Sequence, residues 1–149
     1  MPINRFRDEY AFLSNFHPAE IYFSGLVFET VEHAFQAAKT VRLEQRFEIS
    51  NAATPVAAKK LGRGVTLRLG WDYMRVDVMD LLVNLKFFTY PGLMKKLVAT
   101  GDEEIIEGNT WGDTFWGVCN DVGENHLGKI LMSVRQAGWN ISKLSGWKR

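Results

Sequence analysis

The sequence predicts an α+β fold: a single compact domain, residues 1–149, mostly helices packed around a small, partly antiparallel sheet. Segments with helical spacing and clear start and stop signals outnumber the short strand-like runs. The order of the two kinds is not a regular strand–helix alternation, which speaks against a doubly wound sheet. Neither GxGxxG nor GxxxxGK followed by Ser or Thr occurs, so the two commonest nucleotide-binding loops of such sheets are absent.

The elements follow in order. "IYFSGLVFE", Ile21 to Glu29, has two β-rich runs around Ser24-Gly25 and reads as a hairpin. A helix is expected to start at Thr30, whose hydroxyl can cap the first free N–H groups. "TPVAAKKLG" repeats that logic, with Thr54 as cap, Pro55 at the first helical position and Gly62 as the stop. From Val76 to Phe88 the apolar positions Val78, Leu81, Leu82, Leu85 and Phe88 keep helical spacing and predict a core helix. "YPGLMKKLVATG" predicts another, with Pro91 near its start and Gly101 just past its end. "EEIIEG" and "FWGV" are further strand candidates. "ENHLGKILMSVRQAG" closes the list, with Leu127, Ile130, Leu131 and Val134 along one stripe.

Composition bounds the function. The chain has 149 residues, 46% of them apolar and 23% charged, ordinary values for one globular domain with a substantial core. A formal net charge of +1 argues against a broad nucleic-acid-binding surface. Lys59, Lys60, Arg63 and Arg68 form a local basic cluster, which reads as a solvated helix face in preference to a phosphate-facing patch. Cys119 is the only cysteine, so neither a disulfide within the chain nor a thiolate-rich metal site is expected. His17, His33 and His126 lack HxH or HExxH spacing, and no metal site is expected. "PINRFRDEY" has no apolar signal core and no run long enough for a membrane span occurs, so a cytoplasmic location is expected, with no membrane contact.

Two stretches carry candidate chemistry. In "TVEHAFQAAK", Glu32, Gln36 and Lys39 are spaced i, i+4, i+7 and fall within roughly 60° of one another on a helix surface. They read either as an exposed helix face or as a carboxylate, an amide and an amine displayed in a row beside the apolar stripe of Val31, Phe35 and Ala38. "AFLSNFHP" places Ser14 and Asn15 between bulky apolar residues, either as turn residues or as groups that hold a ligand's hydroxyls.

"FLSNFHP", "TVEHAFQAAK", "LGR", "WDYMRVDVM", "LKF", "DTFWG" and "NHLGKILMSVR", in this order, make the chain resemble the NADAR family, also called YbiA-like proteins. The resemblance covers Phe12 to Arg135. It implies an α+β domain acting on N-glycosidic bonds of ADP-ribose-like or ribosylamino compounds. Activities associated with the family are removal of ADP-ribose from modified guanine and cleavage of early riboflavin-pathway intermediates.

Breaking a ribosyl–nitrogen bond builds positive charge at the anomeric carbon and negative charge on the departing nitrogen. Two routes fit the residues that match the family blocks. Glu32 and Asp113 can form a carboxylate pair that stabilises an oxocarbenium-like state and activates water. Alternatively the sugar ring opens and Lys39 attacks C1 to give a Schiff base, with Glu32 shuttling protons; this needs desolvation or a positive neighbour to free the amine. The Schiff-base route is preferred because it gives Lys39 a reason to share the stripe.

The loop "EGNTWGDTFWGV" then has a candidate purpose. Trp111 and Trp116 offer faces on which a base can stack, and Gly108, Gly112 and Gly117 let the backbone approach a phosphate or ribose. Asn109 can hydrogen-bond a sugar hydroxyl, and Glu107 supplies a further carboxylate. Trp71 and Arg75, one turn apart, pair an aromatic face with a guanidinium that can bind phosphate. Asn125 stands where a helix N-terminus would present free N–H groups to an anion, or serves as a plain N-cap. Core packing competes for each tryptophan, and an ion pair to Asp72 or Asp77 competes for Arg75.

The expected activity is hydrolysis of the N-glycosidic bond of an ADP-ribosyl group on a guanine base, with no cofactor. Lys39, Glu32 and Asp113 are the catalytic candidates. The rivals are the same chemistry on a ribosylamino-pyrimidine phosphate, and a module that binds NAD-like nucleotides without hydrolysing them. The expected partners are an ADP-ribosylated base or a related phosphorylated N-riboside, with nucleic acid as a carrier of the modification.

Overall fold

The computed structural model describes residues 1–145. Seven helices, one of them a 3-10 helix, and one two-stranded antiparallel sheet make up its regular structure, an α+β fold. Two units emerge from the chain's own contacts: Asn15–Lys86, and Met1–Ser14 together with the segment from Phe87 onward.

The central unit begins with the expected hairpin. Strands β1 (Ile21–Phe23) and β2 (Leu26–Phe28) pair with Ile21 opposite Phe28 and Phe23 opposite Leu26. Ser24 and Gly25 adopt φ of 53° and 80°, the left-handed pair that gives a tight turn the same twist as its strands. Ile21 and Phe28 are buried whereas Tyr22 and Val27 are exposed, the alternation a half-buried ribbon requires.

Helix α1 (Val31–Ala38) follows. Thr30 caps it in extended conformation, its hydroxyl accepting the His33 backbone N–H at 3.1 Å. All eight helical residues are buried, so the exposed-face reading of the polar stripe is overturned for Glu32 and Gln36. Helix α2 (Leu43–Ser50), which the sequence reading does not anticipate, has a weak apolar pattern and buries only Ile49. Helix α3 (Pro55–Gly62) starts as expected, with Thr54 accepting the Ala57 N–H at 3.0 Å and Pro55 in the first turn. Gly62 is the last helical residue and not a left-handed cap; its role is close approach. A Cβ there would run into the side chain of Gln36, which occupies the space a side chain would need.

Helix α4 spans Trp71–Thr89, starting five residues before the periodicity predicts. Its buried stripe is also rotated by one position. Met79, Leu82, Val83, Lys86 and Phe87 are buried, whereas Leu81 and Phe88, expected in the core, are 48% and 47% exposed. The cause is Lys86. Treating a lysine as a solvent-side residue selects the wrong stripe, and here it is the lysine that lies inside, 1% exposed.

In the terminal unit a 3-10 helix (Asp8–Leu13) sets the Phe12 ring edge-on to Phe87 at 6.4 Å. Helix α5 (Pro91–Ala99) has Pro91 in its first turn, and Gly101 just beyond it at φ 69°. Helix α6 (His126–Ser145) runs longer than predicted and buries Leu127, Ile130, Leu131 and Val134 as expected. Helices α5 and α6 meet closely at Gly138, where the Met94 side chain fills the place of a Cβ. "EEIIEG" and "FWGV" do not form strands. They contribute single bridges, Ile3 to Ile105 and Gly108 to Val118. Glycine recurs in this region, and part of its backbone pairs with side chains instead of with a ladder.

Candidate active site

The central unit gathers Asn15, Glu32, Gln36, Lys39, Trp71 and Arg75. The stripe on α1 exists as its spacing predicts. Gln36 donates from Nε2 to Glu32 Oε1 at 2.7 Å, a buried bond between side chains one turn apart. Lys39 follows at the C-cap, still with helical dihedrals, and is half-buried. The first turn of the helix is anchored from outside: the Glu32 N–H donates to the backbone carbonyl of Asn15 at 3.1 Å. The Asn15 amide itself faces Met79 Sδ at 3.4 Å, so this residue shapes the entry to α1. His33 adds a second anchor, its Nε2 donating to the Ala52 carbonyl at 3.1 Å while Nδ1 takes the Thr30 hydroxyl proton at 2.8 Å.

Burial works on the two ionisable groups of the stripe in opposite senses. Desolvation raises the Glu32 pKa above the usual glutamate range, against the opposing pull of the Gln36 amide and of Lys59 and Lys39 nearby. Desolvation also lowers the Lys39 pKa, helped by Lys59 and Arg63 and resisted by Glu32. Burial thus disfavours the charged form of both groups. The arrangement can present an uncharged amine and a proton-carrying carboxyl on one helix, the requirement for nucleophilic attack with local proton transfer.

Trp71 and Arg75 do fall on one helix, because α4 starts at Trp71. The tryptophan, however, is buried with its ring 5.2 Å from that of Phe35, tilted by 54°. It backs α1 from the core side, which corrects the expectation of an open aromatic face. Arg75 is half-buried in the second turn.

The terminal unit holds Glu107, Asn109, Trp111, Asp113, Trp116, Gly117 and Asn125. Here the loop is built largely from its own polar groups. Asn109 donates to Glu107 Oε2 at 3.1 Å and to the Asp113 carbonyl at 2.8 Å, and accepts the Asp113 N–H at 3.0 Å. Both N–H groups and one of the two acceptor positions of its amide serve the loop, so no donor is left for the expected sugar contact. Asp113 Oδ1 accepts the N–H groups of Phe115 and Trp116 at 3.1 and 2.9 Å, closing a turn. Asn125, at φ 55°, is buried; it accepts the Glu107 N–H at 3.0 Å and donates to the Ile105 carbonyl at 2.9 Å. It is a clamp between segments and not an anion site. Gly117 and Gly108 do permit close approach, but by the protein itself: the Glu107 side chain and the Asn4 carbonyl occupy the space a Cβ would need. Gly112, at φ 85°, has open surroundings and makes a turn.

The two tryptophans of this loop separate. Trp111 is 61% exposed and presents its ring to solvent. Trp116 is half-buried, edge-on to Phe115 at 4.9 Å, with the His126 ring 6.4 Å away.

Sequence reasoning missed three residues. Lys86 is buried with its pKa lowered to about 7 by desolvation, and only the "LKF" fragment marked it. Gly62 was read as a stop signal, since no local pattern reveals a packing partner distant in sequence. His33 was set aside for want of metal-ligand spacing, yet it fastens α1 through both ring nitrogens. Among the described residues no group of His, Cys, Asp or Glu could hold a metal ion, and no helix is long and apolar enough to cross a membrane.

Comparison with known proteins places the whole arrangement. The family model described as the NADAR domain matches residues 3–137. An N-glycosidase of Nostoc punctiforme is 41% identical over 143 residues, covering 92% of this chain and 91% of that protein. A riboflavin biosynthesis protein of Vibrio vulnificus is 38% identical over 87% of this chain, which spans 36% of that protein's length. The NMR structure of Escherichia coli YbiA superposes with a TM-score of 0.82 at 32% identity, covering 96% of this chain and 88% of that one. The α1 stripe, the Trp–Arg helix start and the Asp–Thr–Phe–Trp–Gly loop therefore stand in a fold already represented among solved structures, and the chain belongs to the NADAR family.

Proposed function

We propose that this protein is an N-glycosidase that hydrolyses the ribosyl–nitrogen bond of an ADP-ribosyl group, with ADP-ribosylated guanine as its substrate. The observation that carries the proposal is the pairing on α1 of a buried glutamate, its pKa raised, with a half-buried lysine, its pKa lowered. Relatives named N-glycosidase over nearly the full chain support the bond class. In the proposed reaction the C1–O4 bond breaks as the ring oxygen takes up a proton, leaving C1 doubly bonded to the base nitrogen, and the uncharged Lys39 amine adds to C1 and gives up a proton. The C1–nitrogen bond to the base then breaks, and Glu32 delivers the proton that the departing nitrogen takes up. The resulting Schiff base between Lys39 Nζ and C1 adds water and collapses, releasing the sugar and restoring the amine.

The second reading keeps the chemistry and changes the substrate to a ribosylamino-pyrimidine phosphate. The Vibrio vulnificus relative, named for riboflavin biosynthesis, is what favours it. Incubation of wild type and Lys39→Ala with an ADP-ribosylated guanine oligonucleotide, with and without borohydride, tests the first reading by mass spectrometry. Release of ADP-ribose by wild type alone, with a reduced sugar adduct on Lys39, is the expected result. Release without adduct moves the mechanism to the carboxylates; turnover of the pyrimidine phosphate alone selects the second reading. Ligand recovered intact in every case would leave a binding module and sink both.

A further inference from the structure

The basic cluster of α3 divides in the fold. Arg68 is committed to the end of α1: its backbone N–H donates to the Lys39 carbonyl at 2.8 Å and its guanidinium reaches the Ala38 carbonyl at 3.5 Å. Lys60 lines a groove with Gln45, Glu48 and Ile49. Lys59 and Arg63 stand elsewhere, one turn apart and flanking Gly62, with Lys59 half-buried and Arg63 exposed at the C-cap. Gly62 packs on Gln36, the middle member of the α1 stripe. Both cations are accordingly near enough to Lys39 for their charges to act on it, and Lys59 acts on Glu32 as well.

The local charge does not balance. Lys59 and Arg63 bring two cations beside Lys39, and the one acidic group among them, Glu32, is buried with its Oε1 already accepting the Gln36 amide. Among the described residues neither Lys59 nor Arg63 forms an ion pair with a carboxylate. Like charges held together without counter-charge repel, and a bound anion removes that repulsion while gaining charge-assisted hydrogen bonds. Lysine and arginine one turn apart suit a phosphate, the arginine offering a planar fork and the lysine a point charge.

We propose that Lys59 and Arg63 form the subsite for the phosphate carried on ribose O5, beside the amine of Lys39. This rests on the reading that the substrate is a phosphorylated N-riboside, and it names the group that both candidate substrates share. A sugar whose C1 lies at Lys39 has its O5 across the ring, so a phosphate there extends away from the reacting bond. Lys59 and Arg63 are then specificity-determining residues, and Lys39 keeps the chemistry.

The test is equilibrium binding to the full chain by NMR titration, with ribose 5-phosphate, ADP-ribose and unphosphorylated ribose as probes. Lys59→Gln and Arg63→Gln are expected to weaken ribose 5-phosphate and ADP-ribose each by about tenfold or more. Ribose affinity is expected to stay within about twofold, and Lys60→Gln, with the same charge change, to leave all three within that range. Loss confined to ADP-ribose, equal loss for ribose, or loss no larger than that of Lys60→Gln would overturn the proposal. Should no N-riboside be turned over while this binding pattern holds, the proposed reaction fails and the phosphate subsite stands.

Discussion

At the residue scale, the two side chains proposed to carry the chemistry, Glu32 on α1 and Lys39 at its C-cap, both have their pKa shifted by burial. Glu32 releases its proton above the usual glutamate range and Lys39 below the usual lysine range. The productive state holds one proton between them, so kcat/KM is expected to follow a bell. Its low-pH limb follows the amine of Lys39, which must be free, and its high-pH limb the carboxyl of Glu32, which must hold its proton. Glu32→Gln is expected to lower kcat by roughly 10²–10⁴ and to erase the high-pH limb of the remaining activity, while the low-pH limb of Lys39 stays. A high-pH limb that persists in that variant, read from a full pH–rate profile, would assign the titration elsewhere. Lys39→Arg discriminates the routes: a guanidinium keeps the charge but supplies no free amine, so the Schiff-base route predicts loss of turnover and of any borohydride-trapped adduct. Survival of the rate in Lys39→Arg would favour the carboxylate route.

At the element scale, α1 is held in place by its neighbours' backbone more than by its own propensity. Eight residues make only two turns, too short to be stable alone. Its first turn is fastened by the Thr30 hydroxyl, the Asn15 carbonyl and, through His33, the Ala52 carbonyl. Its opposite contact is α3 at Gly62. Gly62→Ala places a Cβ where the Gln36 side chain lies, and is expected to destabilise the fold by about 1–3 kcal/mol, the usual range for overpacking. Displacing Gln36 also breaks its bond to Glu32, so the high-pH limb of activity is expected to move further upward. Chemical denaturation measures the first effect and the pH–rate profile the second. A drop in stability with an unmoved limb would show that Gln36 re-forms its bond. Thr30→Ala removes the cap and the partner of His33 Nδ1, and is expected to cost about 1–2 kcal/mol by the same denaturation measurement.

At the scale of the whole molecule, the near-zero net charge hides concentrated local fields. The +1 total coexists with two cations, Lys59 and Arg63, acting on Lys39 and with Lys86 buried in the stripe of α4. Lys86 links global stability to pH. Its pKa is lowered from 10.5 to about 7, so between these values the unfolded chain binds a proton that the folded chain does not. Stability is therefore expected to rise with pH across that window and to be lowest, on this account, below pH 7, where the folded state must carry the buried charge. The linked change is of the order of a few kcal/mol. Lys86→Met is expected to flatten the difference, measured as the midpoint of urea unfolding at pH 7 and at pH 9.5. A wild-type slope unchanged in the variant would show that other groups carry the linkage.

Much of the fold was legible because its determinants are local. The Ser24-Gly25 turn, the Thr30 and Thr54 caps, Pro55 and Pro91 in first turns and the α6 stripe each act within a few residues, and each appears where the sequence places it. The Glu32–Gln36–Lys39 row was equally legible, since helical spacing alone aligns it. Tertiary structure decided what no period can encode. Packing put Lys86 inside and Leu81 outside, closed Trp71 against Phe35 while leaving Trp111 open, and turned Asn109 and Asn125 from ligand donors into clamps. It also set Gly62 against Gln36, bringing the cations of α3 to the amine of α1. A side chain's spacing follows from backbone geometry, but its protonation and its partners depend on which distant segment displaces water from it.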